Sequence, residues 1–293
     1  MSSIKKILFT GSLSDDYLND LLEEIEKHPV NQKIKLYLFS QNKIDCLSSN
    51  INSIEEEEIT NMDLIVSVGG DGTMLQSSKL ASYYEVPITG INKGRLGFLT
   101  DINPELVCSV LSDITDGKYQ TESRMLLDIK IFNDDKEKLI GHAINDLVIN
   151  KTKTGRMIKV RTLIDGIFVN TNEGDGYIVS TPTGSTAYSL SCGGPIINPN
   201  ADTFLLVPIA PHTLTNRPMV IASSSEITLE FEEHNDELIS ISLDGEVISE
   251  ISCSNYIKIQ KSKDVVKFIH PEQYDYFETL RSKLFWGHDK RNA

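Results

Sequence analysis

The sequence predicts a chain of two classes in succession, an α/β domain followed by an all-β domain. Three observations carry this. The chain has 293 residues, more than one compact core usually organises. Over the first hundred residues, short apolar runs alternate with segments of helical spacing. After about residue 120 the texture changes, and alternating strand-like runs follow one another across short turns.

The elements follow in order. KKILFTG (5–11) is a first strand and turn. DDYLNDLLEEIEKH places Leu18, Leu21, Leu22 and Ile25 at helical spacing, and IKLYLF (34–39) is a second strand. EEEE at 55–58 is a solvated helix start or loop. DLIVSVGG (63–70) is a nearly continuous apolar run, as a strand buried on both faces requires. GTMLQSSKLASYY resumes the helical pattern, and VPITGIN (86–92) is another strand. Such alternation implies a parallel sheet with crossover helices. We therefore expect a Rossmann-like or flavodoxin-like α/β domain over 1–120, completed by a C-terminal segment at 270–293. In the second domain, 121–269, LLDIKIFN, AINDLVIN, KVRTLIDGIFVN, GYIVSTP, FLLVPIAP, EITLEFEE, LISISLDGEVIS and YIKIQKSK are all strand-like. Asp165-Gly166 and Asp244-Gly245 mark tight hairpins, so this half is expected to be an antiparallel, sandwich-like β domain. The stretch from His270 to Leu284 is expected to be helical.

Composition narrows the function classes. With 40% apolar and 24% charged residues the chain has ample material for a core. Its net charge of −14 opposes general binding to nucleic acid or anionic membranes, which want basic patches. A few local cations can still set the field in one cleft. Cys46, Cys108, Cys192 and Cys253 are scattered without a CxxC pair, which disfavours a disulfide framework or zinc site and fits a reducing compartment. The N-terminal apolar stretch is interrupted too early, at Thr10-Gly11-Ser12, for a secretory leader, and no run approaches a membrane span. The expected location is the cytoplasm.

The segment VGGDGTML (68–75) is the first candidate for chemistry. Asp-Gly by itself fits any turn, but here it follows a buried-type strand and opens a helix, the position at which open α/β sheets bind ligands. Glycines there admit a phosphate to backbone N–H groups, and a helix N-terminus favours the anion. GxxxxGK[ST] is absent, as is GxGxxG after the first strand, so neither a P-loop nor a dinucleotide fingerprint is present. Asp71 is the unusual feature. A carboxylate among phosphates is electrostatically costly unless it binds metal or takes a proton from a nucleophile.

Two further segments stand out. In GDGYIVSTPTGSTAYSLSCGGPI (174–196), a strand runs into a turn rich in hydroxyls and glycine, then a short helix-like piece. Capping alone can explain Ser185 or Thr186. The length of the run, ending at the aromatic Tyr188, also suits hydrogen bonds to a ribose and a platform for a base. In AINDLVIN (143–150), Asn145 and Asp146 interrupt an apolar strand. Adjacent strand residues face opposite sides, so one of them points to a buried or cleft setting unless the pair simply faces solvent.

Taken together, VGGDGTML, NKGRLGFLT (92–100), AINDLVI, GDGYIVSTPTGSTAYSLSCGGPI and PIAPHTLTNRP (208–218) resemble the NAD kinases in their bacterial form, from about Ile4 to Trp286. GGDG alone is shared with diacylglycerol and sphingosine kinases and loosely with phosphofructokinases. STPTGSTAYSLS, PHTL and RP are far more specific. The resemblance implies transfer of the γ-phosphoryl of ATP, accompanied by Mg²⁺, to the 2′-hydroxyl of the adenosine ribose of NAD, giving NADP. It implies Asp71 as proton acceptor and Gly72 as a backbone contact to the dinucleotide. Asn145 and Asp146 match a ribose-holding pair in which some relatives carry Glu for Asp. Asp175, Thr186, Ala187, Tyr188, Ser189, Leu190 and Ser191 match positions lining the dinucleotide site, and Arg156 matches a basic position near the ligand more loosely. Glu246 stands where relatives often have Gln, which adds a negative charge and puts that contact in doubt. Lys93 and Arg95 either offset phosphate charge or are solvated, and His212 is either a ligand contact or structural. A homodimer or homotetramer is implied, and no metal site within the protein. A lipid kinase would not need STPTGSTAY, and a non-catalytic NAD(P) sensor would gain little from Asp71.

Overall fold

In a computed structural model, the described residues are 4–11, 16–39, 51–93, 97–133, 136–153, 156–232 and 238–286. Arg95, Cys46 and the last seven residues lie outside them. The chain divides into two compact units, Met1–Ser123 with Val266–Ala293, and Arg124–Val265.

The first unit is built on five parallel strands, β1 (Lys6–Gly11), β2 (Lys35–Phe39), β3 (Ile51–Ile54), β4 (Leu64–Gly69) and β5 (Ile88–Asn92), in the order β5-β4-β1-β2-β3. β4 is buried at every residue, as its unbroken apolar run requires of a strand covered on both faces. α1 (Asp16–Lys27) buries Leu18, Leu21, Leu22 and Ile25 against Ile7, Phe9 and Leu36. α2 (Asp71–Tyr83) follows β4 directly, and a buried hydroxyl chain fixes it to the sheet: Thr10 Oγ1 lies 2.8 Å from Ser77 Oγ, which donates to Ser67 Oγ at 3.0 Å. α3 (Val107–Thr115) adds Val107, Leu111 and Ile114 to the same core. The acidic stretch forms a 3₁₀ turn, Glu56–Asn61, closed by a capping box in which Glu55 N–H donates to Glu58 Oε2 at 3.1 Å.

The second unit comprises most of β6 (Tyr119–Asn133), then β7 (Lys136–Ala143), β8 (Asp146–Lys151), β9 (Ile158–Ile164), β10 (Ile167–Gly174), β11 (Gly176–Ser180), β12 (Thr203–Ile209), β13 (Met219–Ala222), β14 (Ile227–Phe231), β15 (Leu238–Leu243), β16 (Glu246–Ser252) and the first part of β17 (Tyr256–Pro271). Six strands form an antiparallel sheet in the order β13-β12-β11-β8-β15-β16, and β10-β9-β14-β17 pair antiparallel in another. Leu147, Val179 and Phe204 of the first meet Val160, Leu229 and Ile257 of the second in one apolar core, the sandwich the alternation predicts. Both expected hairpins have positive φ at two successive residues, Asp165 (51°) with Gly166 (76°) and Asp244 (51°) with Gly245 (84°), as a type I′ turn demands.

Two local expectations are corrected. AINDLVIN is not one strand: it bends at Ile144-Asn145, and β8 starts at Asp146. The stretch from His270 is not helical at its start, because β17 runs to Pro271 and Phe268 pairs with Ile88. A turn intervenes, and α5 spans only Tyr276–Leu284, capped where Asp275 Oδ1 accepts Phe277 N–H at 2.8 Å. β3, which is outside the strands expected from sequence, carries no run long enough to be read there.

Candidate active site

Asp71 sits at the first position of α2, and Gly70 is the helix N-cap. Its carboxylate does not cap its own helix. Oδ2 accepts Phe98 N–H at 2.9 Å, and Oδ1 accepts Leu99 N–H at 3.1 Å and, more weakly, the Thr100 hydroxyl at 3.4 Å. The loop that supplies these donors is closed by Gly97 N–H to the Thr100 carbonyl at 3.0 Å. It must carry glycine at 97, since a β-carbon there would stand 1.9 Å from Asp71 Oδ1. A carboxylate offers about four lone-pair sites, so three donors hold this one and leave room for a further proton donor. Asp71 is half-buried, and Gly70 and Gly72 are exposed with no atom within 4 Å of where a side chain would begin. The start of α2 is thus an open surface of backbone N–H groups with a fixed carboxylate in it.

In the second unit, Asn145 and Asp146 lie at the junction of β7 and β8. Asp146 is 3% exposed and Asn145 half-buried, so the pair does not simply face solvent. The Asn145 carbonyl accepts Thr181 N–H at 2.9 Å and Ser180 Oγ at 3.1 Å. Asp244, read from sequence only as a turn residue, reaches the same junction with its carboxylate: it accepts Ile144 N–H at 3.1 Å, Asn145 N–H at 2.7 Å and Asp146 N–H at 3.3 Å. Burial, and then the charge of Asp244, push the Asp146 carboxyl up to about 7.

The hydroxyl-rich segment packs over the outer face of the six-stranded sheet. Cys192 and Ile197 lie against Val148, Ile178, Leu205 and Val207 there. Most of its hydroxyls are spent on nearby backbone groups. Thr181 Oγ1 donates to the Ile144 carbonyl at 2.5 Å, Ser189 Oγ to the Gly184 carbonyl at 2.9 Å, and Ser185 Oγ bridges the carbonyl and N–H of Ile197. Gly184 allows the close approach to Asn145, since a β-carbon would stand 2.2 Å from the Asn145 carbonyl oxygen. The helix-like piece is a 3₁₀ turn, Thr183–Thr186, followed by one helical turn, α4 (Tyr188–Ser191). Of the residues expected to line the site, Ser189 is buried with its hydroxyl turned inward. Thr186, Ala187 and Leu190 are half-buried, and Tyr188 and Ser191 are exposed. Burial, then Cys192, Asp175 and Asp146, raise the Tyr188 phenol above its ordinary range, which places these four side chains in one electrostatic neighbourhood.

Asp175, half-buried, forms an ion pair with Lys151 at 2.5 Å; the sequence reading did not single out Lys151. Arg156 is exposed and follows residues 154–155, which lie outside the described residues. His212 is exposed, its backbone N–H donating to the Glu173 carbonyl at 2.8 Å, so it fills no core. Glu246 is exposed at the start of β16. The Lys93 ammonium lies 5.9 Å from the Tyr17 ring centroid, a role other than pure solvation. Asp71, Gly72 and Lys93 therefore belong to the first unit, and Asn145, Asp146, Arg156, Asp175, residues 186–191, His212 and Glu246 to the second.

Comparison with known proteins gives these groups a context. The ATP-NAD kinase N-terminal domain family matches residues 6–119, and the ATP-NAD kinase C-terminal domain family matches residues 144–271. The chain is 42% identical over 225 residues to an NAD kinase of Cellvibrio japonicus, covering 77% of this chain and 75% of that one. It is 45% identical to an NAD kinase of an Enterobacter species, covering 77% of each. In fold it is similar to a yeast NADH kinase solved with NADH, with a TM-score of 0.86, 23% identity and coverage of 100% of this chain and 91% of that one. It is also similar to an NAD kinase from Archaeoglobus fulgidus solved with ATP, with a TM-score of 0.68, 26% identity and coverage of 96% and 98%.

Proposed function

We propose, from the premise that this chain belongs to the NAD kinase family, that it phosphorylates NAD with ATP at the 2′-hydroxyl of the adenosine ribose. The observation that carries the chemistry is the carboxylate of Asp71, fixed by three donors at the open, glycine-flanked start of α2. In this reading the 2′-oxygen forms a bond to the γ-phosphorus of ATP. The bond from that phosphorus to the β–γ bridging oxygen breaks, ADP leaves, and Asp71 accepts the hydroxyl proton. Catalysis of this kind rests on positioning and electrostatics. The exposed N–H groups and positive dipole end of α2 suit a phosphate.

Asn145 and Asp146 hold ribose hydroxyls, and Tyr188, Thr186, Ala187, Leu190 and Ser191 line the dinucleotide. Ser189 supports that surface from beneath, through its bond to Gly184. Asp175, Arg156 and Gly72 complete the binding set. Among the described residues no three His, Cys, Asp or Glu side chains could hold a metal ion. In this reading Mg²⁺ would come with the ATP substrate and neutralise charge on the transferred group. Among the same residues no helix is long and apolar enough to cross a membrane. A cytoplasmic homodimer or homotetramer completes the reading.

The test mixes purified protein with NAD, ATP and Mg²⁺ and follows NADP with an NADP-specific dehydrogenase. Wild type is expected to turn over. Asp71→Asn is expected to lose roughly 10²- to 10⁴-fold in kcat, the usual range for a positioned base, with KM for NAD within about threefold. Equal turnover of the two proteins would remove Asp71 from the mechanism.

A further inference from the structure

The Ile144-Asn145 bend creates a local problem of backbone chemistry. β7 ends at Ala143 and β8 begins at Asp146, so N–H groups at the bend lie where strand pairing is interrupted. Ile144 is 1% exposed and Asp146 3%, and buried backbone donors need partners. Asp244 supplies them to three consecutive residues. The grip is reciprocal, because Asp244 N–H donates to the Asp146 carbonyl at 3.0 Å. The support is rigid as well: Asp244 follows β15, whose Leu243 pairs with Leu147 of β8.

We infer that Asp244 is a positioning residue for the nucleotide-binding pair, its carboxylate setting where Asn145 and Asp146 stand by holding the backbone N–H groups of residues 144–146. The inference rests on the proposed function for its link to NAD. Asp165 shows what turn chemistry alone explains. It occupies the same place in the other Asp-Gly hairpin at the same φ of 51°, yet its carboxylate takes one N–H, from Glu226 at 2.9 Å, on an exposed surface. Asp-Gly is selected by the turn in both hairpins; the triple contact is particular to Asp244. Electrostatics add a second consequence. The ionisable groups that act on Asp146 or are acted on by it are Asp244, Tyr188 and Cys192. Removing the Asp244 charge lets Asp146 ionise at lower pH.

The experiment compares wild type, Asp244→Ala, Asp244→Asn and the turn control Asp165→Ala. It measures KM for NAD and for ATP from pH 5.5 to 9, and amide hydrogen exchange across residues 144–146. For Asp244→Ala, KM for NAD should rise roughly ten- to hundredfold, the scale of a misplaced binding group. KM for ATP should stay within about twofold, and exchange at 144–146 should accelerate. Asp165→Ala should leave all three as in wild type. Asn tolerates positive φ, so Asp244→Asn keeps the turn and tests the charge even where the alanine variant does not fold. Its pH midpoint for NAD binding should move to lower pH. An Asp244→Ala protein that matches Asp165→Ala in KM and exchange overturns the inference, as does an Asp244→Asn protein with wild-type KM and midpoint. If wild type makes no NADP, the kinase reading fails while the exchange data still decide whether Asp244 holds the bend.

Discussion

Asp146 joins two properties that normally exclude each other, a carboxyl group and near-complete burial. Its pKa of about 7 in the folded protein lies above the roughly 3.9 of an unfolded chain. The folded state therefore binds the proton more tightly, and folding is favoured most below pH about 4. That contribution is lost as pH rises to about 7 and is level above it. Asp146→Asn removes the titration. The unfolding free energy of wild type relative to this variant should fall on the order of a few kcal/mol from pH 4 to 7, read from urea midpoints across that range. A flat difference would mean that Asp146 ionises in the folded state at the same pH as in the unfolded chain. Sequence showed that Asn145-Asp146 broke an apolar run and left open which way it faced. It could not show Asp244, 98 residues from Asp146 in sequence, because an Asp-Gly hairpin fully accounts for that residue locally.

The loop 97–100 is an element whose role is visible only in three dimensions. In NKGRLGFLT the glycines were legible as a loop, but the reason for Gly97 is the carboxylate 27 residues before Phe98 that shares its space. Gly97→Ala forces either Asp71 or the loop to move. Overpacking of this kind costs about 1–3 kcal/mol. Since the displaced group is the proposed base, kcat should fall at least about tenfold while the protein still unfolds cooperatively, as steady-state rates and thermal melts would show. A folded Gly97→Ala protein with wild-type kcat would mean the loop does not orient Asp71. The strand-to-helix handover at GGDGT was readable because periodicity changes there, and both Asp-Gly hairpins were readable because their chemistry is local. The segment STPTGSTAYSLS was only half readable. Its hydroxyls suggested ligand contacts, whereas Thr181 is spent on the Ile144 carbonyl, Ser185 on the Ile197 backbone and Ser189 on the Gly184 carbonyl. Burial separates these from Tyr188 and Ser191, and periodicity in so short a helix does not.

On the scale of the molecule, the chain leaves the first unit after Ser123 and returns at Val266. The returning segment is anchored within that unit by His270, buried between Asp101 at 2.6 Å and Glu122 at 3.2 Å and stacked on Tyr274 at 4.0 Å. The change of texture near residue 120 was legible, since helical spacing gives way to alternation there. The anchor was not, because His270 meets partners about 150 residues away or more. Function was legible to the extent that chemistry is carried by short motifs: Asp71 in its glycine setting argued for proton transfer, and the second unit's segment for a nucleotide. The central claim is the identity of acceptor and product. Wild type incubated with NAD, ATP and Mg²⁺ should yield one new phosphomonoester, whose phosphorus NMR signal couples to the ribose 2′ proton of the adenosine half. No new phosphoester, or a phosphate at another hydroxyl, would contradict the account.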